Sequence, residues 1–177
     1  MHFELKKISA DSIPEALAKV ERYRLLNEPK LAESICLDIL ATTPDHQQAL
    51  IALLLARTDQ FDSNDLNAKG AHEVLAKIKG EYERAYYAGI IWERLAHSYI
   101  HQGIHGQSSS AYHALRGAME YFEKASKLSP QGNDDAILRW NTCARVIMQH
   151  PAICPTQDEQ PEDAWVPAEA DSHIPDV

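Results

Sequence analysis

The sequence predicts an all-α protein, and three observations carry that expectation. In this 177-residue chain Ala, Leu, Glu and Lys are frequent, glycine is held to 7 residues and valine is rare, so intrinsic preference is helical over most of its length. Apolar residues recur at spacings of three and four in one segment after another, and no segment alternates as a half-buried strand would. Prolines and small polar clusters punctuate those segments at intervals.

The elements follow in order. Ser12, with Pro14 close behind and Glu15 three residues on, reads as a capped helix start, and Leu17, Val20, Tyr23 and Leu26 make the stripe of a first helix over about 13–27. Asn27-Glu28-Pro29 breaks it. Leu31, Ala32, Ile35, Cys36, Ile39 and Leu40 form a second stripe that ends before Thr43-Pro44. Asp45 is the expected cap of a third helix, whose middle, ALIALLLA, is apolar on almost every side and so buried all round. After a polar loop over 59–67, Ala71, Val74, Leu75 and Ile78 mark a fourth helix that Gly80 can end. A long fifth helix runs from Tyr82 to about His101, a sixth is expected from a Ser110 cap to before Pro130, and a seventh covers about 133–149.

Composition narrows the class. With 45% hydrophobic and 24% charged residues this is an ordinary globular sequence, and three cysteines without CxxC spacing suit reduced thiols better than bridges or a zinc site. The net charge of −9 makes unaided nucleic-acid binding unexpected. The first residues lack the apolar stretch of a signal peptide, and the most apolar run is far too short to span a bilayer, so a soluble, cytoplasmic protein with no membrane partner is expected. Charge is unevenly placed. After Arg145 there is no Lys or Arg, while seven acidic residues follow, leaving only −2 for the rest of the chain. Five of the nine prolines also lie there, so 150–177 is expected to be a disordered acidic tail whose one apolar cluster is Ala164-Trp165-Val166. Residues 1–12 read as a leader and 13–149 as one helical domain.

The helical text repeats. Ala32-xxx-Cys36-xx-Ile39-xxxx-Pro44 recurs as Ala118-xxx-Phe122-xx-Ala125-xxxx-Pro130, with Ala71-xxx-Leu75-xx-Ile78 between them lacking only the proline. Trp92-xx-Leu95-Ala96-xx-Tyr99 adds a large residue, a leucine, a small residue and a tyrosine on the helix before the last of these. In these features the chain resembles the tetratricopeptide repeat family over about 13–149, as three helical pairs and a closing helix. It departs from the family pattern at Lys19 and Val20, at Arg57 in place of tyrosine, and in about ten extra residues between Tyr99 and Ala118.

The resemblance implies a right-handed helical-hairpin solenoid whose first helices line a concave groove for an extended peptide or partner helix. Carried over position by position, the groove residues are Leu17, Glu21, Arg24 and Leu25; Gln48, Ile51, Leu55, Thr58 and Asp59; Ile90, Glu93, His97, Ile100 and His101; and Asp134, Ile137, Asn141 and Arg145. A carboxylate clamp of the kind some members carry is not expected, because only Asn141 and Arg145 match it.

The sharpest chemical pattern is the histidine series His97, His101 and His105, spaced by four with Glu93 one turn before; of these, Glu93, His97 and His101 could offer three ligands to zinc or nickel at helical spacing. Gly103 and Gly106 interrupt that helix and no HExxH or cysteine pair supports it, so polar groove histidines are the preferred reading. Asp59 to Asp65 lacks the glycine and distal glutamate of a calcium loop, and His105-Gly106 before three serines lacks an oxyanion hole. The expectation is a protein-binding scaffold, not an enzyme, with a protein or peptide partner, no cofactor and no metal. The alternatives are a metal-binding regulator or metal-dependent enzyme built on Glu93, His97 and His101, and a homo-oligomer formed through the apolar second pair.

Overall fold

A computed structural model of the chain describes residues 3–61, 66–102 and 107–155. Within them the protein is all helical, with no strand: a 3-10 turn over Ala10–Ser12 leads into α1 (Ile13–Leu25), α2 (Pro29–Thr42), α3 (Gln47–Thr58), α4 (Leu66–Leu75), α5 (Glu81–Gln102), α6 (Gln107–Leu128) and α7 (Asp135–Gln149). The expected acidic tail beyond residue 155 lies outside the described residues.

Helix ends differ from expectation where local hydrogen bonding offers a better partner. Ser12 does not cap α1. It closes the preceding 3-10 turn, its backbone is already helical, and its hydroxyl donates to the Ser9 carbonyl at 2.8 Å. Asp45 gives way to His46, whose Nδ1 accepts the Ala49 N–H at 3.3 Å. Asn27 ends the first hairpin turn as expected, at a left-handed φ of 57°, a conformation asparagine tolerates better than most residues. Gly80, at φ +93°, is not the stop of α4, which ends at Leu75. It starts α5, accepting the Arg84 N–H. α6 begins at Gln107, not at a Ser110 cap, so most of the extra length between Tyr99 and Ala118 is taken up as helix at the ends of α5 and α6.

Each helix packs on the next, most extensively α5 on α6 and most sparsely α4 on α5, while α1 also touches α3 and α3 also touches α5. α1, α3 and α5 therefore share a layer. The core is continuous along that stack. Ile13, Ile39 and Ala49 open it; Val20, Cys36, Leu50, Leu54 and Ile91 fill the middle; Ile90, Leu115, Phe122 and Cys143 fill the α5–α7 end, with Leu55 and Tyr87 touching both of the larger clusters. Each fully buried side chain of this size contributes about 1.5–3 kcal/mol relative to exposure.

Polar ties also cross the stack, as at Arg57 and Asn133. Arg57, where the repeat pattern has tyrosine, donates from Nε to Glu33 Oε1 at 2.9 Å and from a terminal nitrogen to the Gly70 carbonyl at 2.8 Å, joining α2, α3 and α4. Asn133 donates to the Tyr82 hydroxyl at 3.0 Å, joining the α6–α7 turn to the start of α5.

Candidate functional site

The layer of α1, α3 and α5 carries two adjoining clefts. The first, about 570 Å³, is lined by Glu21, Arg24 and Leu25 of α1, Asn27 beyond it, Asp59 after α3, and Arg94 of α5. The second, about 290 Å³, lies between the end of α3 and the later part of α5, where Phe61, His97, Ser98 and His101 surround the same Asp59 and Arg94. Asp59 and Arg94 are thus the shared wall.

That wall is electrostatic. Arg24 Nε donates to Asp59 Oδ2 at 2.8 Å, and a terminal nitrogen of Arg94 stands 3.7 Å from Asp59 Oδ1. One carboxylate, 18% exposed, lies between guanidiniums from two helices, and the exposed Glu21 also lines the first cleft. Arg94 Nε is buried and has no hydrogen-bond partner. His97, half-buried, has its pKa pulled below the usual histidine value by burial; the nearby Glu93 carboxylate opposes the shift, while Arg94, His101 and Arg139 add to it.

Of the residues the family alignment assigned to a groove, Glu21, Arg24, Leu25, Thr58, Asp59, His97 and His101 do line these clefts. Thr58 does so as a buried residue whose hydroxyl is spent on the Leu55 carbonyl at 2.9 Å. Ile90 and Glu93 are corrections: they are 1% and 2% exposed and face inward. Both Glu93 carboxylate oxygens receive Arg139 of α7 at 3.3 Å, and that cation's pKa is raised by Glu93 and the Tyr86 hydroxyl against the opposing effect of burial. Leu17, Ile51, Leu55 and Ile100 are half-buried packing residues of the core clusters. Gln48 is exposed outside either cleft, and Asp134, Ile137, Asn141 and Arg145 sit on or beside α7, away from both.

On α5 the cleft keeps His97 and His101 of the aligned set and takes Arg94 and Ser98 in place of Ile90, Glu93 and Ile100. The cleft face is Arg94, His97, Ser98 and His101, at relative positions 0, 3, 4 and 7. That polar stripe was present in the sequence; Ile90 beside it was the sign that the neighbouring face is core. Arg94, Phe61 and Ser98 are the site residues that sequence reasoning missed.

Among the described residues, no three His, Cys, Asp or Glu side chains gather as metal ligands. Glu93, turned to Arg139, does not join His97 and His101, and His105 lies outside the described residues. Burial pushes the Cys36 and Cys143 thiols up to about 12, so neither is a nucleophile at neutral pH. Among the described residues no helix is long and apolar enough to cross a membrane.

No family model matches the chain, and neither a curated protein nor a solved structure matches it.

Proposed function

We propose that this chain is a protein-interaction module of the tetratricopeptide type, a stack of helical hairpins that takes an extended peptide or partner helix along the face formed by α1, α3 and α5. The single observation that carries the reading is the pair of clefts joined at Asp59 and Arg94, which together run across three successive helices of one layer. A channel of that form offers exposed apolar contact at Leu25, charges of both signs for register, and the His97 imidazole, whose pKa burial lowers, a mixture that suits a polypeptide better than a phosphate polymer. Arg94 anchors the ligand, because its guanidinium is 39% exposed and a terminal nitrogen holds a loose 3.7 Å ion pair to Asp59.

The test is selection of a random peptide display library against the full chain. Enriched sequences are expected to share a motif whose binding falls at least tenfold with Arg94→Ala or Leu25→Glu and is unchanged by Glu73→Ala, an exposed α4 residue that lines neither cleft. Selected peptides indifferent to both cleft substitutions would sink the reading. Leu55 and Ile100 are unsuitable probes because their side chains pack in the core.

A further inference from the structure

The outward side of α7 carries an apolar stripe that the described residues leave open. Ile137 and Met148 share a face by their spacing of eleven, with the half-buried Asn141 between them and Leu138 flanking them, while Ala144 on the same side packs against the core. Ile137 is 46%, Leu138 61% and Met148 73% exposed. At the near end of the stripe a notch of about 230 Å³ opens between α6 and α7, where Phe122, Ser126, Ile137 and Trp140 meet, with Glu123 at its edge. The last helix of a stacked array needs a polar outer side or something to cover it. On α7 the exposed Asp135, Thr142, Arg145 and Gln149 supply only part of such a side, and Ile137, Leu138 and Met148 lie open beside them.

The chain itself continues past this face. Beyond α7 the backbone turns at Pro151, the Ile153 N–H donating to the His150 carbonyl at 2.8 Å, and the Ile153 side chain is 7% exposed within the α5–α7 core. Polypeptide therefore leaves the body beside α7. From Pro155, ten residues reach Trp165, a span of up to about 33 Å when extended, against a length of about 22 Å for α7. Along that span come Asp158, Glu159, Glu162 and Asp163, then Ala164-Trp165-Val166. Arg145, exposed and with no ion pair among the described residues, stands on the same side of α7, between its C-terminal end and the notch.

We propose that segment 156–177 is the occupant of this face, with Trp165 seated in the notch by Ile137 and Trp140 and the acidic residues ahead of it lying along Arg145. Tethering favours this over a second copy, because a linked segment is presented at roughly millimolar effective concentration, whereas a second copy is present only at its bulk concentration. The inference does not rest on the groove.

The test is fluorine NMR of the full chain labelled with 5-fluorotryptophan, which marks Trp92, Trp140 and Trp165. The Trp165 resonance, identified by its loss in Trp165→Phe, is expected away from the position of free 5-fluorotryptophan. Ile137→Asp is expected to return it there while the Trp92 resonance stays in place. Leu138→Asp repeats the test should Ile137→Asp disturb Trp92. A Trp165 resonance at the free position in the unmodified chain, or one indifferent to both substitutions, overturns the proposal. An offset that fades on dilution also overturns it and assigns the face to a second copy.

Discussion

Gly89 of α5 lies so close to Phe122 of α6 that a Cβ placed on it would stand 2.5 Å from the ring. The relation is reciprocal in kind: Gly117 of α6 faces the Trp92 ring of α5, where an added Cβ would be 3.3 Å away. Each helix seats a large ring of the other on a glycine. This is how the two longest helices of the protein approach closely enough to form its largest helix–helix contact.

The two glycines are expected to respond differently to alanine. Gly89→Ala forces the buried Phe122 ring to shift and should cost about 1–3 kcal/mol, outweighing the gain of about 1 kcal/mol in helix propensity. Gly117→Ala needs only a few tenths of an ångström of relief and should be near neutral. Urea denaturation of both variants checks this; equal stabilities would show that the close approach at Gly89 is not tight.

Glu93 and Arg139 are expected to be asymmetric partners. Arg139→Met strands a carboxylate that is 2% exposed and should cost up to about 3 kcal/mol, moderated because Arg139 itself is partly exposed. Glu93→Leu combined with Arg139→Met should recover most of that loss. A denaturation series over the single and double variants measures it, and a double variant as unstable as Arg139→Met would contradict it.

His97 should make stability depend on pH. Because burial lowers its pKa in the folded protein, the unfolded chain binds the proton more readily, so the contribution is fully present above the unfolded value of about 6.5 and is lost as pH falls through the lower folded value. Melting temperatures of the wild type and His97→Gln, taken from about pH 7.5 to about pH 5, should converge or cross as pH falls. Parallel curves would remove His97 as the cause.

Thiol chemistry should single out one cysteine. Cys36 and Cys143 are buried with pKa values raised to about 12, while Cys154 is exposed. Iodoacetamide at about pH 8 is expected to add one group to the native protein, at Cys154, and three after urea, as read by mass spectrometry. Modification of Cys36 in the native state would mean that the α2–α3 core opens readily.

Much of the helical layout was legible because burial imposes a period. Ala32, Cys36 and Ile39, and at the same spacing Ala118, Phe122 and Ala125, are each 0% exposed. The third stripe was read less well. Ala71 and Ile78 are buried, but Ile78 does so from the turn beyond α4, since a chain leaving a helix can bury a side chain without continuing the helix. Caps failed at Ser12 and Asp45 because the bond that satisfies a helix end depends on where the preceding residues run.

The candidate site was less legible than the core. The alignment reached Arg24, Asp59, His97 and His101 but preferred Glu93 to Arg94. A sequence alone determined which stretches are helical and which side of each is apolar, since both depend on neighbours within a turn or two. Only the tertiary structure decided how far α5 is rotated, because that angle is set by rings seated on Gly89 and Gly117 and by Arg139 reaching Glu93. Those contacts join residues far apart in the chain, and a local period carries no record of them.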